Sequence, residues 1–212
     1  VTLDGAAPSL KGLTFNTSGG GFTLATGTGG SLALKSDIGA AAVTATAGTH
    51  LISTGLALKS ATGVAVAGGS IEFSGVVSGL GQLTKTGAGT LVLSGANTFE
   101  GGVVLSEGTL IAKNAAGLGV GNVVVNAGVL DLFGNSVANI IHVYGGSVIN
   151  SGVGNLSASA LEGDATNGVL VSANIGGTSS LKKLGSGVLT LTGDNSFSGG
   201  DRKSTRLNSS HT

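Results

Sequence analysis

Residues 79–110 read GLGQLTKTGAGTLVLSGANTFEGGVVLSEGTL, and residues 180–200 read SLKKLGSGVLTLTGDNSFSGG. When Leu83 is aligned with Leu181, 98 residues later, eleven of twenty positions are identical, including Lys85 and Lys183. Such a repeat indicates a stacked architecture, and glycine at fixed offsets indicates the same tight corners in both copies. The residues that we assign to the structural repeat are Leu83, Gly87, Gly89, Leu91, Leu93, Gly95, Asn97, Phe99, Gly101, Gly102, Leu181, Gly185, Gly187, Leu189, Leu191, Gly193, Asn195, Phe197, Gly199 and Gly200.

The composition of the 212-residue chain indicates many short strands joined by glycine-rich corners. The chain contains 41 Gly and one Pro, and 41% of its residues are hydrophobic while only 9% are charged. An average protein contains about 7% Gly. Collagen is excluded because the glycine has no period of three and proline is nearly absent. The many apolar residues and the low charge also argue against a disordered chain.

The absence of cysteine excludes a disulfide framework and a thiolate metal site. The given sequence shows no Lys/Arg-rich start followed by an apolar run, which is the pattern of a signal peptide. It also has no stretch of 18 apolar residues, which would predict a membrane-spanning helix. The chain begins within a strand-like segment, so we expect it to be a fragment of a longer protein. His50 and His142 lie 92 residues apart, with no further ligand at metal-binding spacing. We therefore expect no metal and no cofactor.

The last twelve residues, 201–212, differ in composition from the rest of the chain. They read DRKSTRLNSSHT and contain both arginines, Arg202 and Arg206. The segment resembles the translation of a common sequencing adapter, and we interpret it as a non-native artefact rather than a nucleic-acid site. Without it, seven Lys and nine acidic residues remain. We expect residues 1–200 to form a single β-helical unit.

Apolar and polar residues alternate over short segments, which predicts strands rather than helices. In Thr90–Ser94 this alternation places Leu91 and Leu93 on one face, with Val92 outward. The stretch Ala40–Ala47 contains only one branched apolar residue and is the weakest strand candidate. The pattern therefore predicts an all-β protein.

Two closed all-β architectures fit such short strands: a parallel β-helix and an antiparallel sandwich or barrel. In a parallel β-helix with three short sheets and about 20 residues per coil, each strand pairs with its counterpart one coil above and below. The 98-residue offset is then a whole number of coils, which we expect to be five. The Asn-Gly and Asp-Gly pairs that favour hairpins occur only at Asn167-Gly168 and Asp4-Gly5. We therefore predict a parallel β-helix.

The segment Leu83–Gly102, LTKTGAGTLVLSGANTFEGG, resembles the autotransporter-associated β-strand repeat of passenger regions in Gram-negative bacterial autotransporters. The second copy departs from the first at Leu184 and Asp194, which replace Thr86 and Ala96. The intervening AGLGVGNVVVNAGVLDLFGNSV is similar to the rungs that follow such repeats. The specific resemblance covers about half of the chain.

The resemblance implies a right-handed parallel β-helix that is exported and then displayed on, or released from, the outer membrane. It also implies an N-terminal signal sequence and a C-terminal membrane β-barrel in the full-length chain. The implied partners are host or bacterial surface molecules, glycan or protein, or further copies of the passenger. Nucleic acid is not expected as a partner.

Carboxylates that could serve catalysis are few, and only Glu162 and Asp164 lie two residues apart. A β-helical enzyme acting on polysaccharide would place two or three acids on adjacent rungs. We predict instead that Glu162 and Asp164 lie in a solvated loop and that Asp131 is a solvent-facing strand residue. No nucleophile elbow, P-loop or calcium-binding nonapeptide occurs. We assign no catalytic residue.

The recurring polar residues of the repeat have two interpretations. Outward Thr and Asn on stacked rungs could form a regular polar surface that binds glycans or ordered partners. Alternatively, Asn97 and Asn195 form a ladder with neighbouring rungs, Phe99 packs over the corner, and outward Thr is simply what a β surface prefers. Both interpretations, a binding surface and a structural contact, also apply to Lys85 and Lys183. We favour the structural one for the asparagines and the phenylalanine.

The function that these observations predict is structural. We expect an elongated, non-enzymatic passenger stalk that displays other surfaces and contributes to adhesion or self-association. One alternative is a β-helical enzyme acting on polysaccharide, which requires acids clustered in a groove. Another is a filamentous adhesin or haemagglutinin repeat, which has the same fold and a different export route.

Overall fold

The computed structural model describes residues 1–17, 19–152, 160–164, 168–184, 186–196 and 198–203. This part of the chain forms 23 short strands and no helix, so it contains no helix that could cross a membrane. The strands are β1 Ser9–Leu10, β2 Gly12–Phe15, β3 Thr23–Leu24, β4 Ser31–Leu34, β5 Ala41–Ala45, β6 Thr49–Ile52, β7 Gly55–Leu58, β8 Thr62–Val66, β9 Ser70–Phe73, β10 Val77–Gly79, β11 Leu83–Thr86, β12 Thr90–Leu93, β13 Val103–Leu105, β14 Thr109–Ala112, β15 Val123–Val125, β16 Val129–Asp131, β17 Ile140–Val143, β18 Ser147–Ile149, β19 Ala160–Asp164, β20 Val169–Val171, β21 Ser180–Leu184, β22 Leu189–Leu191 and β23 Asp201–Lys203.

The strands form three parallel sheets, which the chain visits in rotation as far as β12; the later strands alternate between the second and third sheets. The first sheet has the order β1-β4-β7-β10, and the second has the order β2-β5-β8-β11-β13-β15-β17-β19-β21-β23. The third sheet has the order β3-β6-β9-β12-β14-β16-β18-β20-β22. Every pairing between these strands is parallel. The predicted parallel β-helix is therefore confirmed, and the antiparallel alternative is wrong.

The register of the second sheet explains the 98-residue offset between the two repeats. Its pairings connect Lys85 to Lys183 through one residue on each of four intervening strands, which makes five coils. In the third sheet, the pairings instead bring Leu91 into line with Leu191. Leu189, which aligns with Leu91 by sequence, lies two residues away from that column. The repeats are thus in phase in the second sheet and displaced by two residues in the third.

The core is a single stack of apolar side chains inside the coil. Inward residues alternate with outward ones along each strand, and one continuous cluster extends from Phe15 to Leu181. Leu83, Leu91 and Leu93 are completely buried, and burying each such side chain contributes about 1.5–3 kcal/mol. Val92 faces outward as predicted, yet only 7% of it is exposed because it lies between Glu72 and Ile111 on adjacent strands.

Glycine at the corners allows adjacent coils to approach at the strand-pairing distance. Gly87 has a φ of +77°, which L-residues with side chains rarely adopt. At Gly95, an added Cβ would collide with the carbonyl oxygen of Gly75 on the preceding coil. The fixed glycine offsets in the sequence therefore mark both backbone conformation and close stacking.

Two segments differ from simple expectations of strand composition. The weakest strand candidate forms β5, in which Ala41, Val43 and Ala45 are all buried. Small side chains suffice there because the backbone pairs with β2 on one side and β8 on the other. At the other end, β23 pairs in parallel with β21. Residues 204–212 lie outside the described residues, and the adapter interpretation of 201–212 stays a prediction.

Candidate functional site

The most concentrated polar chemistry lies inside the first repeat, residues 83–102. Lys85 stands in an inward column between Val64 and Leu105 on the adjacent strands, and its side chain is fully buried. Its Nζ donates hydrogen bonds to the carbonyl oxygens of Thr86, at 2.9 Å, Gly87, at 2.6 Å, and Glu107, at 3.2 Å. A cation in the core is therefore held entirely by backbone oxygens of two successive corners.

The electrostatic setting of Lys85 combines burial with one nearby carboxylate. Burial lowers the pKa of Lys85 from its ordinary value of 10.5 to about 8, and the negative charge of Glu107 acts against this decrease. The Glu107 carboxylate also accepts a hydrogen bond from the backbone N–H of Gly87, at 3.1 Å. In the second repeat, residues 181–200, Lys183 is half-buried and its Nζ donates to the Leu184 carbonyl at 2.5 Å. Both repeat lysines therefore bind the corner that follows their own strand.

Asn97 joins three successive coils through its buried side-chain amide. Its Oδ1 accepts a hydrogen bond from the N–H of Val77 at 2.8 Å, and its Nδ2 donates to the Gly117 carbonyl at 2.6 Å. Asn195 accepts from the N–H of Ile175 at 3.0 Å in the same way. Asn139 donates to carbonyls of the preceding coil although it lies outside the repeat. These amides link rungs through the backbone.

Other repeat residues pack in the core or form the corners. Phe99 is completely buried, and its ring lies against Gly119 on the next coil. Gly102 and Gly200 both have positive φ. Phe197 and Gly185 lie outside the described residues. In the first repeat the residues are mostly buried, whereas Leu189 and Leu191 of the second are half-buried and Asn195 is exposed.

The prediction that Asp131 faces solvent is wrong. Its side chain points outward from β16, but only 6% of it is exposed because the next coil covers it. Its Oδ1 accepts hydrogen bonds from the N–H groups of Phe133 and Ser151, and its Oδ2 accepts one from the Ser151 hydroxyl at 2.6 Å. Glu72, on the same face, accepts from the Ser94 hydroxyl at 2.6 Å. Both carboxylates therefore already have hydrogen-bond donors.

The predicted loop around Glu162 and Asp164 is also wrong, because both residues belong to β19. Glu162 lies on the outer face of the second sheet between His142 and Lys182. Its Oε2 is 3.1 Å from Nδ1 of His142, and its Oε1 is 3.9 Å from Nζ of Lys182. The Asp164 side chain lies outside what the structure describes. Glu162 thus belongs to a surface ladder of charges.

His50 is a core residue. Its ring clusters with those of Phe15 and Phe22, with centroid distances of 4.5 and 5.8 Å. Its Nδ1 accepts a hydrogen bond from the N–H of Phe22, and its Nε2 lies 2.8 Å from the Ala47 carbonyl oxygen. Among the described residues, no three His, Cys, Asp or Glu side chains come together as a metal site.

Comparison with known proteins identifies the family of the repeat. A family model described as passenger-associated-transport-repeat matches residues 83–112 and 181–202. The chain carries the repeats of an autotransporter passenger. Over 154 residues, 68% of its length, this passenger segment is 32% identical to the Adhesin BmaC autotransporter of Brucella suis biovar 1 (strain 1330). It spans only 4% of that relative, and no solved structure matches it significantly.

The passenger repeats also indicate where the protein is found. An autotransporter passenger is located at the cell surface or outer membrane of a Gram-negative bacterium, or is secreted from it. The chemistry described above agrees with the structural interpretation of the repeat, since its polar side chains bind the backbone of adjacent coils.

Proposed function

We propose that this passenger segment is a non-enzymatic display stalk that holds adhesive surfaces away from the cell and contributes to adhesion or self-association. In the full-length protein, a membrane β-barrel domain anchors the stalk. The observation that carries the proposal is the unbroken parallel stacking of nine strands of the second sheet, from β2 to β21, which excludes β23 of the adapter-like segment. At about 4.8 Å per strand, the eight spacings between these strands extend the stalk by roughly 38 Å.

The distribution of acids supports the non-enzymatic part of the proposal. Glu72 and Asp131 stand in one outward column of the third sheet, but Val92 and Ile111 lie between them. Three strand spacings separate the two carboxylates by about 14 Å, whereas paired catalytic carboxylates in glycosidases lie about 5–9.5 Å apart. Each acid also accepts a hydrogen bond from a serine hydroxyl. Glu72 and Asp131 therefore do not form the pair of acids that a polysaccharide-cleaving enzyme requires.

An in-phase deletion tests the display function in the full-length protein. Removing residues 85–182 joins Thr84 to Lys183 and preserves the register of the second sheet. We expect the shortened passenger to reach the cell surface, as measured by antibody labelling, while bacterial adhesion and autoaggregation decrease. Unchanged adhesion and autoaggregation would contradict the proposal. Release of reducing ends from polysaccharide by the purified chain would contradict its non-enzymatic part.

A further inference from the structure

The outer face of the third sheet carries two regular columns of side chains. We call these columns, across β6, β9, β12, β14, β16 and β18, the third-sheet face. Each strand contributes one residue to each column, because the strands pair in parallel. The first column contains Thr49, Ser70, Thr90, Thr109, Val129 and Ser147. The second contains Leu51, Glu72, Val92, Ile111, Asp131 and Ile149.

The hydroxyls of the first column have no protein partner. Within the described residues, the side chains of Thr49, Ser70, Thr90, Thr109 and Ser147 make no hydrogen bond to the protein. Their side chains repeat at the strand spacing of about 4.8 Å. The serines beside the second column differ, because Ser94 and Ser151 donate to Glu72 and Asp131. The first column therefore offers a row of unused donors and acceptors beside a largely apolar row.

An exposed aromatic residue, Phe133, follows β16 of this face by two residues. Phe133 has a φ of +50°, a conformation that is rare for a bulky residue, and 46% of it is exposed. The buried Asp131 carboxylate holds the conformation by accepting a hydrogen bond from the Phe133 N–H at 2.9 Å. Lys113 reaches over the ring, with its Nζ 5.6 Å from the ring centroid. Strained residues of this kind persist only where the surrounding structure holds them, often at binding sites.

We propose that the third-sheet face and Phe133 bind a linear polysaccharide laid along the helix axis, an inference that rests on the proposed display function. Sugar hydroxyls bond to the Thr and Ser column, and sugar C–H faces pack on Leu51, Ile111 and Ile149, which are half-buried. An extended polysaccharide also presents its hydroxyls at regular steps close to one strand spacing. Phe133 provides an aromatic face, whose partial negative charge attracts sugar C–H groups.

One acid on the face distinguishes a polysaccharide from an apolar protein partner. Glu72 is half-buried and interrupts the apolar column, and its Oε1 accepts a hydrogen bond from the Ser94 hydroxyl. An apolar protein surface, such as the same column of a second copy, would remove water from this carboxylate without supplying a donor. Sugar hydroxyls can donate to its remaining lone pairs. The face therefore suits a polyhydroxylated ligand better than a second copy.

The test measures binding of purified chain to cellohexaose and to polygalacturonate by calorimetry. The double variant Thr90→Val/Thr109→Val removes two hydroxyls while keeping shape and strand propensity, and Phe133→Ala removes the ring. We expect Thr90→Val/Thr109→Val to weaken binding about tenfold, as loss of two hydrogen bonds would. Phe133→Ala should also weaken binding, because it removes the aromatic contact. The matched control is Thr84→Val, which changes the outer face of the second sheet and should leave the affinity unchanged.

Several outcomes would overturn the inference. These are binding of neither polysaccharide, unchanged binding in Thr90→Val/Thr109→Val, or equal weakening by Thr84→Val. Circular dichroism and melting temperature confirm that each variant is folded before binding is compared. A dimer in solution that the double variant abolishes would replace the polysaccharide with a second copy. If the 85–182 deletion abolishes adhesion but the double variant still adheres, the polysaccharide inference is wrong and the proposed display function is unaffected.

Discussion

Replacing Lys85 with Met tests why the repeat places a cation in the core. Met has a similar length and no charge, so Lys85→Met keeps the volume and removes only the ammonium group. The carbonyl oxygens of Thr86, Gly87 and Glu107 then lose the donor that lies 2.6–3.2 Å away. Two opposing effects follow, and their magnitudes decide the sign of the change in stability.

The loss of hydrogen bonds outweighs the relief from burying a charge. A hydrogen bond to a charged group contributes about 1.5–3 kcal/mol, so the three bonds of the ammonium group contribute roughly 6 kcal/mol. The decrease in the Lys85 pKa from 10.5 to about 8 means that burial of the charge costs about 3 kcal/mol at neutral pH, which Met avoids. We therefore expect Lys85→Met to lower the free energy of unfolding by about 3 kcal/mol at pH 7.

The assay is urea unfolding followed by circular dichroism, together with hydrogen exchange of the corner amides. Hydrogen exchange is needed because stacked repeats can open locally without unfolding the whole chain. Lys59→Met is the matched control, since Lys59 is exposed and makes no side-chain hydrogen bond or ion pair among the described residues. It should change stability by less than about 0.5 kcal/mol. Equal or higher stability of Lys85→Met would refute the view that the ammonium group holds the corner.

Two further predictions concern the polar residues of the repeats. Because the folded chain releases the Lys85 proton near pH 8 and the unfolded chain near 10.5, the unfolded state binds more protons between these values. The free energy of unfolding should rise by a few kcal/mol across that window in the wild type, relative to Lys85→Met, in urea titrations. Asn97→Ala should cost about 2–4 kcal/mol, against about 1 kcal/mol for Asn195→Ala, by thermal unfolding; equal losses would contradict the three-coil link.

The alternation of apolar residues was sufficient to predict an all-β protein, while the repeat offset and the scarcity of hairpin dipeptides were needed to predict the parallel β-helix. Leu91 and Leu93 lie on one face by simple period-two counting, and the same pattern in the neighbouring coils builds the core column. Alternation also places Lys85 on the same face as Leu83, so the sequence contained the signal for a buried lysine. Residue type concealed that signal, because charged side chains are rarely buried without partners. The partners are backbone carbonyls, which a sequence pattern does not display.

The wrong predictions concern residues whose environment comes from another coil. Asp131 is buried because Ser151, twenty residues later, lies over it. Glu162 belongs to a ladder because His142 and Lys182 stand twenty residues before and after it. Once the coil length is known, a twenty-residue offset would reveal such columns. Phe133 is different, because the Asp131 hydrogen bond holds its positive φ, and a phenylalanine in a sequence gives no sign of that backbone conformation.

The polar corner residues fix the register between coils, which apolar columns cannot do. Apolar columns accept a slip of two residues, since Leu, Val and Ile replace one another along a strand. The third sheet contains such a shift: the pairing of Val148 with Val171 spans three residues more, and that of Leu91 with Leu110 one fewer, than the matching pairings of the second sheet, which brings Leu191 rather than Leu189 into line with Leu91. Asn97 tolerates no slip, because its amide would lose both Val77 and Gly117. Buried polar groups with fixed partners thus set the phase of the coil while leucine supplies its stability, as side-chain hydrogen bonds specify register in other folds.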